Sequence, residues 1–184
     1  MIVEKEEQLK YLYAFKEGKI KRGLGIGNQL DNWVLYKRGS FNIIVGLDNV
    51  GKTNFMLWYF LALSVKHNIK WLLWSGENSA GQLTRDLIQM YSQTKLNYLS
   101  KSKIKEYNTK IGEWFSFVSN KKMYNHKELL KIFKESNCDA GVIDPFTGLN
   151  HDRRVNQYER NYLICNDIRE FCNTTGKTIY LMTH

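Results

Sequence analysis

The segment Gly46-Leu47-Asp48-Asn49-Val50-Gly51-Lys52-Thr53 constrains this chain more than any other. It fits the pattern G-x-x-x-x-G-K-[ST], and its flanks suit it. Phe41-Asn42-Ile43-Ile44-Val45 before it reads as a buried strand, and Asn54 to Leu63 after it reads as a buried helix. A strand, a glycine-bearing loop and a helix together make a phosphate cradle. Glycine permits backbone angles that let successive N–H groups turn toward an anion. The helix N-terminus adds partial positive charge. In such a loop Lys52 reaches the β- and γ-phosphates of a nucleotide, and the Thr53 hydroxyl reaches Mg²⁺.

At 184 residues the chain has the size of one domain. No apolar run approaches the roughly 18 residues of a membrane span. The start, Met1 to Glu7, has the wrong charge pattern for a secretory or organellar signal. Cys138, Cys165 and Cys172 form no C-x-x-C pair, which fits ordinary thiols in a reducing cytoplasm. The net charge of +9 is uneven: from Lys95 to Lys134 ten lysines face three glutamates. Such a stretch suits polyanion contact, and equally a solvated surface.

Periodicity divides the chain into alternating elements. Glu4 to Glu17 predicts an amphipathic helix with Leu9, Leu12, Tyr13 and Phe15 among charges. Gly23-Leu24-Gly25-Ile26-Gly27 breaks it, which sets residues 1–22 apart from a main domain over 23–184. Further strands are predicted at Lys70–Ser75, Trp114–Val118, Ala140–Asp144 and Thr178–Met182. Helices are predicted at Ser79–Thr94, Lys127–Glu135 and Tyr158–Thr174. This alternation means an α/β fold with a mainly parallel sheet of five core strands flanked by helices.

Parallel sheets place ligands beyond the carboxyl ends of their strands. The predicted strands end in the phosphate loop, in Ser75-Gly76-Glu77, in Asp144 and in Thr183-His184. Asp144 is placed to serve Mg²⁺, Glu77 to polarise an attacking water as a general base, and His184 to hydrogen-bond the γ-phosphate. The bland alternatives are a strand-ending cap, a surface acid and an exposed histidine. Convergence on one sheet edge favours a site.

This order of motifs resembles the RecA-type ATPase core of the DnaB-like hexameric helicases. Leu72 to Asn78, followed by Gln82 and Arg85, is similar to that family's second-strand motif. Asp144-Pro145-Phe146-Thr147-Gly148-Leu149 and Ile179 to His184 look closer to the Twinkle-like and phage primase-helicase branch. Gly23 to Asp31 resembles the family's glycine-rich lead-in. The resemblance implies a RecA-like fold with strand order 3-2-4-5-1. It implies ATP with Mg²⁺ as cofactor, single-stranded DNA as partner, and a hexameric ring. Residue by residue, it implies a phosphate loop of Gly46, Asp48, Asn49, Val50, Gly51, Lys52, Thr53 and Asn54. It further implies catalysis by Glu77 and Lys52, Mg²⁺ on Thr53 and Asp144, and a γ-phosphate sensor at His184. Arg153 and Arg154, in the loop after the fourth strand, are the DNA candidates.

Two departures matter. Only a helix precedes the core, and the chain stops at the sensor strand. The family's arginine finger, its second DNA loop and its C-terminal strands lie beyond that point. These residues alone are therefore expected to hydrolyse ATP slowly and to be mostly monomeric. A RecA-type recombinase or regulatory ATPase without unwinding activity is the competing reading. A packaging motor is disfavoured, because Pro145 stands where such motors place a glutamate.

Overall fold

The computed structural model describes residues 4–20, 23–151 and 156–183. They fall into two compact units, Met1–Lys37 and Arg38–His184. The glycine-rich lead-in thus groups with the first helix, whereas the sequence reading drew its line after residue 22.

In the first unit, α1 (Lys5–Lys16) has Glu6 and Glu7 in its first turn and Lys16 in its last, complementing the helix dipole. It buries no residue: Leu9, Leu12, Tyr13 and Phe15 are all exposed, so within this structure the predicted apolar face covers nothing. The lead-in is organised by Asp31, whose carboxylate accepts from Ile26 N and Gly27 N, both at 2.7 Å. Asn28 caps the short 3-10 turn Gln29–Asn32 by accepting from Leu30 N at 2.9 Å. Leu24 and Tyr36 close the segment as an antiparallel bridge.

The second unit carries five strands: β1 (Phe41–Val45), β2 (Trp71–Ser75), β3 (Phe115–Phe117), β4 (Ala140–Asp144) and β5 (Thr178–Thr183). All pairings are parallel, and the order is β1-β5-β4-β2-β3. Counted from β3, this is the expected 3-2-4-5-1. Every residue of β2 and β4 is buried, which explains their nearly continuous apolar sequences.

Five helices connect the strands: α2 (Lys52–His67), α3 (Ala80–Ser92), α4 (Lys101–Gly112), α5 (His126–Glu135) and α6 (Gln157–Thr175). One core joins Leu72, Trp74, Ile143 and Leu181 of the sheet to Leu129 and Phe133 of α5 and Ile164 and Ile168 of α6. Elsewhere Phe60 of α2 stacks on Trp71, with ring centroids 4.1 Å apart, and meets Tyr180 edge-on at 4.9 Å. Gly141 allows α5 to approach β4: a Cβ there would stand 2.7 Å from the Phe133 ring.

Capping boxes start α3 (Ser79 with Gln82) and α5 (Asn125 with Glu128). The sequence reading missed α4. That helix buries only Ile111, so its apolar periodicity is too sparse to stand out among lysines.

Candidate nucleotide site

The parallel registers bring the functional ends together. Ser75 stands beside Asp144, and Val45 beside Thr183. The loop from Gly46 to Gly51 therefore leaves β1 at the same sheet edge where β2 delivers Glu77 and β4 delivers Asp144. Asn49 (φ 58°) and Gly51 (φ 85°) take left-handed backbone angles, which curl the loop into the start of α2. Gly51 is the N-cap of α2, so Lys52 and Thr53 open that helix where its free N–H groups cluster.

The Lys52 ammonium donates to Gly46 O and to Leu47 O, both at 2.6 Å. It thus lies across the loop, held by carbonyl oxygens that an arriving phosphate would replace. Thr53 Oγ1 donates to Asp144 Oδ2 at 2.8 Å. Asp144 is only 7% exposed, so this carboxylate is held at the cavity floor rather than in solvent. Ser75 Oγ accepts from Asn78 N at 3.0 Å, and Gly76 N donates to Asp144 O at 2.8 Å. These bonds fix the turn that carries Glu77. Gly76 and Gly148 approach closely, with the edge of the Trp74 ring against both: a Cβ at Gly76 would lie 3.4 Å from that ring and 3.6 Å from Gly148 Cα.

A cavity of about 350 Å³ opens here. From the loop and α2 it is lined by Asn49, Gly51, Lys52, Thr53 and Asn54, and from the opposite side by Glu77 and Asp144. Gly46, Asp48 and Val50 stand outside its lining. Gly46 lies beneath the Lys52 stem, and the Val50 side chain is exposed. His184, Arg153 and Arg154 lie outside the described residues.

The sequence reading missed three lining residues, Asn78, Leu83 and Asp86. Leu83 and Asp86 are three apart on α3, so the helical period after the Ser79 cap was the signal that could have found them. Asp86 Oδ1 accepts from Arg85 Nε at 2.8 Å, and this carboxylate raises the Arg85 pKa above its usual value.

The donor set fits Mg²⁺ bound with a nucleotide. A threonine hydroxyl and a carboxylate 2.8 Å apart are hard oxygen ligands. Among the described residues no group of three or more His, Cys, Asp or Glu could hold a metal ion. A Mg²⁺ ion here would complete its octahedron from phosphate oxygens and water, as this ion commonly does.

The whole chain superposes on a solved ATPase domain of a DnaB-like replicative helicase, with a TM-score of 0.74, 15% identity and 72% of that domain covered. It likewise superposes on a second DnaB-like replicative helicase, whose structure is described together with its interactions with primase, with a TM-score of 0.75 and 15% identity. The fold is that of a DnaB-like helicase ATPase domain. The chain spans 48% of the second of these proteins, about half its length. No family model matches the sequence, and no curated protein matches it. The RecA-like core also agrees with the parallel order around β4 and β5. Among the described residues no helix is long and apolar enough to cross a membrane.

Proposed function

We propose that this chain is an ATP-hydrolysing motor domain that couples turnover to movement along single-stranded DNA and to duplex unwinding, acting within a homo-oligomeric ring. The observation that carries the nucleotide reading is the Thr53–Asp144 bond at the floor of a cavity that Lys52 and Glu77 also line.

The residues divide the work. Lys52 leaves the carbonyls of Gly46 and Leu47 and sets its charge against the β- and γ-phosphates, where negative charge grows during transfer. Thr53 and Asp144 would hold Mg²⁺, which bridges phosphate oxygens and offsets their charge. Glu77, fixed by its Ser75-bonded turn, takes the proton of the attacking water. The same reading gives His184 the γ-phosphate sensor's role and gives Arg153 and Arg154 the DNA phosphates.

Glu77→Gln tests the assignment. It preserves shape and removes the base. Nucleotide affinity should persist while hydrolysis slows by about 10² to 10⁴. Turnover equal to the parent's would reduce Glu77 to a cavity-lining acid and sink the mechanism.

A further inference from the structure

The ten lysines between Lys95 and Lys134 are not equivalent. Lys103 lies 2.8 Å from Glu106, Lys110 2.6 Å from Glu113, and Lys122 2.7 Å from Glu128. Lys127 and Lys131 stand 3.8 Å from Asp167 and 4.0 Å from Glu135. Lys95, Lys101 and Lys105 have no carboxylate partner among the described residues, and all three are exposed. Between them in sequence stands Tyr98, at the end of the short 3-10 turn Leu96–Tyr98 and 75% exposed.

Local energetics does not explain these lysines. The first turn of α4 has no acidic residue. Lys101, Lys103 and Lys105 fill its first half, where cations oppose the helix dipole. Lys101 and Lys105 are four apart, so they share a face and repel each other. Packing does not explain them either. The lysines of α4 that cover rings are others: Lys103 over Tyr107 at 5.7 Å and Lys110 over Trp114 at 4.7 Å. Lys95, Lys101, Lys105 and the Tyr98 ring thus remain turned to solvent at a cost to the helix.

We propose that Lys95, Tyr98, Lys101 and Lys105 form a binding face for single-stranded nucleic acid, separate from the nucleotide cavity. Ammonium groups at helical spacing suit successive phosphates of one strand. An exposed phenol ring offers a stacking platform for an unpaired base, which a duplex does not present. An acidic peptide would satisfy the lysines and leave the ring unused. The face belongs to the β3 side of the sheet, since α4 leads into β3. The phosphate loop leaves β1 at the other edge, four strand spacings or about 19 Å away. A strand held on α4 therefore leaves the cavity open.

The test is anisotropy of a labelled oligothymidylate of about 20 nucleotides, titrated over a range of salt with no nucleotide present. Its outcome is then independent of whether Lys52 binds phosphate. Replacing Lys95, Lys101 and Lys105 together by Gln should weaken binding at least about tenfold at low salt and reduce the log–log salt slope by about 2. Tyr98→Ala should weaken binding about tenfold and leave the slope alone. An oligouridylate titrated in parallel distinguishes RNA from DNA, and tighter binding of either supports the face. Lys121→Gln with Lys134→Gln, at exposed positions outside the face, should change neither quantity. Circular dichroism confirms that each variant is folded. Parent-like affinity and slope in the triple variant overturn the proposal, as does an equal loss in the control. So does a loss that ignores Tyr98 and extends to polyglutamate, because the face would then be one for acidic protein.

Discussion

Lys52 holds two bonds in this structure that it cannot keep once a triphosphate arrives. Its Nζ is satisfied by Gly46 O and Leu47 O, so the loop keeps its curl before any ligand binds. Phosphate binding exchanges those carbonyls for stronger charged acceptors. Lys52→Ala should therefore abolish measurable ATP binding while leaving the fold in place, because the side chain supports only its own loop. Filter binding of labelled ATP alongside a thermal melt checks both halves. Parent-like affinity in the folded variant would mean that the cavity is not the phosphate site. At this scale the sequence was informative wherever a strand end dictated position: Lys52, Thr53, Glu77 and Asp144 all line the cavity. Asn78, Leu83 and Asp86 were not legible, because their placement depends on how α3 rolls against the loop.

Elements were legible in proportion to their buried apolar face. The five strands and α2, α3, α5 and α6 all bury several side chains, and all were visible as periodic runs. The helix α4 was invisible because one buried isoleucine makes no pattern, and α1 was given a covered face that it does not have in this structure. Two glycines turn this contrast into a measurement. In β4, Gly141→Ala would push a Cβ to 2.7 Å from Phe133 and 2.8 Å from Ile179. Overpacking of this kind costs about 1–3 kcal/mol. At the end of α4, Gly112 has nothing within 4 Å of its Cβ position. Gly112→Ala should be stabilising, by up to about 1 kcal/mol, through helix propensity alone. Urea midpoints moving in opposite directions for the two variants would bear this out. A parent-like midpoint for Gly141→Ala would mean that α5 is looser on the sheet than the structure has it.

At the scale of the whole molecule, the strand order followed from the resemblance and the parallel direction from the alternation of elements. Neither came from any single residue. The boundary between the two units at Lys37 was not legible. The bonds that gather the lead-in around Asp31, and the bridge between Leu24 and Tyr36, join residues with no shared periodicity. One internal contact has an optical consequence. The Trp74 ring lies with its edge against Gly76 and Gly148, one residue from Glu77. A buried indole changes its emission when its immediate neighbours move, so the protein carries a natural light source beside its proposed base. The fluorescence difference between the parent and Trp74→Phe isolates that lamp from the other four tryptophans. On titration with Mg·ATP the difference spectrum should shift in step with occupancy. A spectrum that stays still while ATP binds would show the Glu77 turn to be set before the nucleotide arrives.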